Sequence, residues 1–190
     1  MKTRARTTFV QVAALAASVT MLGGCAAKQE PYAAAYRQAL SSQDSSAPAS
    51  EEAIQNFLAV YAGMTRPDLA ELVDVAYAPS LYFNDTLKTI HDREALKHYL
   101  ASTARHLDDL QVEVLSIHQD NGDVYVRWIM HTAFEVAGRD IQAESIGITH
   151  LRFNPSGQVI LHQDFWDNTE GLFSHLPFVG GVVRWARSKT

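Results

Sequence analysis

The sequence predicts an α+β domain in which N-terminal helices pack in a strongly curved, mainly antiparallel sheet. Three observations carry this. Between Ser50 and Leu100 the apolar residues recur at helical spacing. From Leu110 onward the period falls to two. Turn signals at Asn121–Gly122, Gly138–Arg139 and Asn154–Gly157 cut that second half into strands. Helices followed by closely spaced strands indicate a layered α+β domain rather than a series of βαβ units.

The first 24 residues read as a targeting segment. Lys2, Arg4 and Arg6 form a basic start, and Phe9 to Leu22 is mostly apolar but too short to span a bilayer. Next comes Leu22-Gly23-Gly24-Cys25, which resembles the bacterial lipoprotein box. The resemblance implies cleavage before Cys25 and acylation of its sulfur and new amino group. Cys25 is the single cysteine, so no intramolecular disulfide is available. Several acyl chains anchor far more firmly than one. Ala26 rather than aspartate follows, which by the same resemblance favours an outer-membrane protein facing the periplasm. The competing reading is an ordinary secretory signal with a chance cysteine. Residues 25–49, rich in Ala, Ser and Gln, read as a flexible tether in which the short run from Tyr32 to Leu40 can form a transient helix.

The domain is expected over residues 50–167. Ser50 is a good N-cap with Glu51 and Glu52 in the first turn, and Ile54, Phe57, Leu58 and Tyr61 share one helical face. Gly63 ends that helix. Pro67 suits the start of a second, with Leu69, Leu72 and Val73 inward. Two short strands, around Leu81–Phe83 and Leu87–Ile90, flank Asn84-Asp85. Asp92 can cap a third helix whose inner face is Ala95, Leu96, Tyr99 and Leu100. Strands are predicted over Leu110–His118, Val124–Val136, Asp140–Phe153 and Val159–Trp166, with Asn121-Gly122 as a hairpin turn. In the second of these, Val124, Val126, Trp128, Met130, Thr132 and Phe134 share a face. Residues 168–190 form an amphipathic extension that either packs over the domain or lies on an anionic membrane surface.

Charge narrows the partners. The chain carries 16 basic and 21 acidic residues. Without the first 24 residues the balance is 13 against 21, a net −8, which argues against nucleic acid. At 47% hydrophobic and 19% charged, the chain is not disordered overall.

The layout from Ser50 to Asp167 resembles the cone shared by nuclear transport factor two, SnoaL-type polyketide cyclases and ketosteroid isomerases. The stretches LYFNDTLKTIHDREALKHYL (81–100) and ITHLRFNPSGQVILHQDFW (148–166) carry the likeness, with the first helix. The resemblance implies an open cone with acid–base residues inside and no obligatory cofactor. Asp85 falls where the steroid isomerases keep a general-base aspartate. Phe57 falls where they keep an oxyanion-hole tyrosine, and Thr149 where they keep a protonated aspartic acid. Phenylalanine offers no donor and threonine a weak one, so steroid isomerisation by that route is not expected.

The most site-like stretch is LHQDFWDN (161–168), because His162, Asp164 and Trp166 share one strand face. An imidazole and a carboxylate two residues apart can meet and shuttle a proton. The bland alternative is a buried pair that satisfies itself, or a polar rim. Asp164, His162 and Asp85 are therefore the catalytic candidates, with turn chemistry as the competing reading for Asp85. Trp166, Phe57, Tyr61, Phe83, Trp128, Met130 and Thr149 are the candidate ligand-binding residues. A metal site built from His162, Asp164 and His131 or His150 is only a minor alternative, and none is assigned: no HExxH motif occurs, and alternation turns His131 away from Trp128 and Met130, and His150 away from Thr149. The expected function is binding, and by acid–base chemistry transforming, a small apolar or amphipathic molecule. If the protein is an enzyme, a cyclase, isomerase or hydratase fits. The rival is a non-catalytic lipid-binding or protein-interaction scaffold. Relatives often pair through their sheets, so a homodimer is also an expectation.

Overall fold

The computed structural model describes residues 32–43, 48–136, 138–175 and 179–189. The signal peptide, Cys25 and much of the tether lie outside the described residues. In chain order come α1 (Tyr32–Ser42), α2 (Glu51–Ala62), α3 (Leu69–Ala76), β1 (Tyr77–Asn84), β2 (Thr89–Asp92) and α4 (Arg93–Ala104). There follow β3 (Asp109–Asp120), β4 (Asp123–Val136), β5 (Arg139–Phe153), β6 (Val159–Trp166), α5 (Asn168–Gly171), a 3₁₀ turn at Phe173–His175 and α6 (Val179–Arg187).

The helix starts follow their caps. The Ser50 hydroxyl accepts from the Ala53 N–H at 3.1 Å, and the Asp92 carboxylate accepts from the Ala95 N–H at 2.8 Å. Each cap removes an orphan donor of the first turn. Ala53, Ile54, Phe57 and Val60 of α2 are buried, as are Leu69, Val73 and Ala76 of α3 and Leu96 and Leu100 of α4. They meet Leu81, Phe83, Val124, Val126, Leu151 and Phe153 from the sheet in one core. The β3–β4 turn has φ of 49° at Asn121 and 88° at Gly122, the positive pair that a two-residue hairpin of this twist requires.

The six strands form one curved sheet in the order β2-β1-β6-β5-β4-β3. β6 ends the antiparallel β3–β4–β5–β6 meander, as the order of strands in the sequence suggests, and it also pairs in parallel with β1, which puts Phe83 beside His162 and Asn84 beside Gln163. Its residues explain the central position: Leu161, His162 and Gln163 are all fully buried, so both faces of the strand are covered.

Residues 32–42 differ from the tether expected there. α1 packs on the sheet face opposite α2–α4, where Ala39 joins Tyr82 and Leu161 in a second apolar cluster. The polar contacts beneath it account for the docking. Tyr36 Oη lies 2.7 Å from His150 Nδ1, and His150 Nε2 lies 2.8 Å from Asp123 Oδ1. Arg152 donates to Asp123 at 2.5 Å and to the carbonyls of Leu40 and Gln43 at 2.7 Å each, where a helix end favours a cation. Burial pushes the Tyr36 phenol up to about 12, helped by Tyr125 and Asp123, and burial lowers His150. The tether reading missed this because Ala, Gln and Ser dominate the segment, and its two anchoring tyrosines find their partners more than 100 residues away.

The extension after β6 packs in part on the domain and leaves apolar side chains of its last helix exposed. Gly171 and Leu172 reach the inner face of the domain, while Val182 and Trp185 of α6 are about two-thirds exposed. Arg187 pairs with Glu170 and Asp167, tying α6 to α5.

Candidate functional site

Strand pleating sets the site. His162, Asp164 and Trp166 project from the inner face of β6, with Thr149 opposite Asp164 and Gly147 opposite Trp166 on β5. One strand further, Trp128 of β4 stands opposite Gly147. Helix α2 contributes Phe57 and Tyr61, one turn apart.

The His162 ring is completely buried. Phe83 lies 4.6 Å from it between centroids and Phe57 5.6 Å, while Tyr77 stacks at 6.1 Å. Both ring nitrogens are engaged. Nε2 lies 2.9 Å from Asp164 Oδ1, and Nδ1 lies 2.9 Å from the Tyr77 hydroxyl. In the neutral ring, Nε2–H donates to Asp164 and Nδ1 accepts from Tyr77. Tyr61 Oη sits 3.2 Å from Tyr77 Oη. Burial pushes both phenols well up, with Asp164 adding to the effect, so each stays protonated.

Asp164 Oδ1 takes a second donor, the Thr149 hydroxyl at 2.5 Å, and Thr149 in turn accepts the Trp128 indole N–H at 2.9 Å. Asp164 Oδ2 accepts nothing among the described residues. The carboxylate thus has one anchored oxygen and one open one, and Asp164 lines a cavity.

That cavity has a volume of about 470 Å³, within the roughly 300–1,000 Å³ of pockets for small molecules. All the ligand-binding candidates line it: Phe57, Tyr61, Phe83, Trp128, Met130, Thr149 and Trp166. His162 does not; it lies behind Asp164. Asp85 lines the cavity too, but its carboxylate is occupied. Oδ1 accepts the N–H groups of Leu87 at 3.0 Å and Lys88 at 2.8 Å, Oδ2 accepts the Tyr99 hydroxyl, and the Trp166 indole donates to the Asp85 carbonyl at 2.7 Å. These are the bonds of an Asx turn stapled to the cavity wall.

Thr149 supplies no spare donor, since its proton goes to Asp164. Two partners escaped sequence reasoning. Tyr77 is the first residue of a strand directly after a helix, and nothing local aims it at His162, 85 positions on. Tyr99 was legible as an inner-face residue, and its bond to Asp85 was not. Among the described residues no cluster of three His, Cys, Asp or Glu side chains could hold a metal ion, and no helix is long and apolar enough to cross a membrane.

A curved six-stranded sheet closed by helices around an apolar cavity defines a cone domain of the nuclear transport factor two-like class. Within it, the chain belongs to the SnoaL-like domain family, whose model matches residues 57–162. A protein from Shewanella denitrificans named for the SnoaL-like polyketide cyclases is 15% identical, with a TM-score of 0.56 over 64% of this chain and 94% of that one. A Catenulispora acidiphila protein with a ketosteroid isomerase-like fold, solved with trimethylamine, is 18% identical at a TM-score of 0.54, covering 67% and 95%. An LEH-like epoxide hydrolase from M. tuberculosis is also 18% identical, at 0.51, covering 74% and 96%. At these identities the likeness shows the fold alone. The sequence matches no curated protein.

Proposed function

We propose that this chain is a lipid-anchored protein of the bacterial cell envelope whose cone binds a small apolar or amphipathic molecule. Asp164 serves as the acid–base residue and His162 as its partner. The observation that carries this reading is the open Oδ2 of Asp164 at the wall of a 470 Å³ apolar cavity, behind which His162 and Tyr77 hold the carboxylate in place. A cavity filled by bulky side chains would have favoured the scaffold reading. The open one favours binding, and a carboxylate with one free oxygen can take a proton from a bound ligand. None of the steps named here needs a cofactor.

Mass spectrometry of molecules that co-purify with the protein tests this, repeated on Asp164→Asn and His162→Ala. The expected result is a bound small molecule whose amount or chemical form changes in both variants. The same ligand and the same cellular activity in both would remove the pair from the site.

The anchor rests on the order of basic start, apolar run and Leu22–Cys25 box, with the outer membrane favoured by Ala26. The exposed Val182 and Trp185 of α6 supply a second apolar contact suited to a membrane surface. Cys25→Ala is expected to yield a soluble or uncleaved form on cell fractionation; normal cleavage with unchanged membrane association would sink the assignment. Self-pairing through the outer sheet face is supported by Ile146, Ile148 and Phe165, all substantially exposed on neighbouring strands.

A further inference from the structure

We propose that the cavity takes a hydrophobic amine in its protonated form, a statement of ligand class that rests on the binding reading above. It follows from where the donors of the cavity wall point. The Trp128 N–H is held by Thr149, the Thr149 hydroxyl by Asp164, the Trp166 N–H by the Asp85 carbonyl and the Tyr99 hydroxyl by the Asp85 carboxylate. The Thr103 hydroxyl donates to the Tyr99 carbonyl at 3.1 Å and the Thr132 hydroxyl to the Ala143 carbonyl at 3.4 Å. Tyr61 is engaged with Tyr77 and His162. A wall that has spent these donors internally has little with which to hold a carboxylate, a phosphate or a ketone oxygen.

What the wall keeps is acceptor and π character. Among the described residues that line it, Asp85 and Asp164 are the acids, no Lys or Arg is present, and the one imidazole, His106, is exposed and bonded to the Ser102 carbonyl. Asp164 Oδ2 is an acceptor without a donor. Because their polar hydrogens are tied back, Tyr99, Trp128 and Trp166 meet the cavity as aromatic surface, joined by Phe83. Rings of this kind around a carboxylate are the complement of a cation carried on an apolar body. The ammonium would donate to Asp164 Oδ2, and its hydrocarbon would fill the apolar space lined by Leu110, Val112 and Met130.

Three adamantanes of equal bulk test this on the purified full-length chain at pH 7.5: 1-aminoadamantane, 1-adamantanol and adamantane-1-carboxylate, each titrated calorimetrically. The amine is expected to bind about tenfold tighter than the alcohol and the carboxylate about tenfold weaker than it, each step worth one close charge interaction. In Asp164→Asn the amine is expected to lose about tenfold while the alcohol changes by less than about threefold. Three equal affinities, or a carboxylate that binds as well as the amine, would overturn the ligand class and leave the pocket standing. No binding by any of the three would overturn the pocket reading and this one with it.

Discussion

Replacing His162 with leucine is expected to destabilise the domain by about 2–4 kcal/mol, read from urea unfolding. Leucine fills much of the same space among Phe57, Phe83 and Tyr77, so lost packing is the smaller part. The larger part is electrostatic. Asp164, only 13% exposed at its side chain, loses one of the two donors on Oδ1, and the buried Tyr77 hydroxyl loses its acceptor. Tyr77 keeps Tyr61 as a partner at 3.2 Å, and Asp164 keeps Thr149, which holds the cost below that of stranding a charge outright. A domain with ordinary stability of about 5–15 kcal/mol survives this, so the variant can be measured. The decisive comparison is Asp164→Asn alone and combined with His162→Leu. The double variant is expected to cost about 1–3 kcal/mol less than the sum, because the two changes remove one interaction between them. Additive losses would show that the pair is adjacent without being coupled.

What could be read from the sequence follows from how far each signal reaches along the chain. The caps at Ser50 and Asp92, the β3–β4 turn at Asn121-Gly122 and the inward row of β4 depend on neighbours within a few positions. The meeting of His162 with Asp164 was equally legible, since residues two apart on a strand must share a face. The long-range placements were not. β1 and β6 pair across 79 positions, as between Asn84 and Gln163, and no local pattern records a partner at that distance. The docking of α1 depends on His150 and Arg152, which alternation turns away from the cavity and which read on their own as ordinary outward-facing polar residues. Asp85 shows the same limit from the other side. Its position in the cone suggests a base, while its bonds to Leu87, Lys88 and Tyr99 leave both oxygens occupied.

Gly147→Ala is the second large expected effect, and it couples stability to the cavity. The β5 backbone here needs no left-handed conformation, so any penalty comes from the space a side chain would enter. A Cβ at Gly147 would lie 2.5 Å from Cη2 of Trp128, well inside van der Waals contact. The indole cannot retreat into the sheet behind it. It must swing toward the cavity, which it already lines, and doing so breaks its bond to Thr149. The cost of forcing one methyl into such a contact is about 1–3 kcal/mol. Thr149 keeps Asp164 as an acceptor but loses its own donor, so the anchored oxygen of Asp164 is held less tightly. Ligand affinity is therefore expected to fall by about tenfold or more, through the space the displaced indole takes up. Gly181→Ala is the control: it sits in α6 with nothing within 4 Å of its Cβ, and the better helix former is expected to stabilise by about 0.5–1 kcal/mol without touching binding. Near-ultraviolet circular dichroism sums the three tryptophans, so the difference between each variant and the parent protein reports the change around Trp128, and calorimetry with a bound ligand reports the cavity. An unchanged tryptophan signature in Gly147→Ala, together with full affinity, would mean that β5 yields instead of the ring, and that the cavity wall at this position is softer than its contacts indicate.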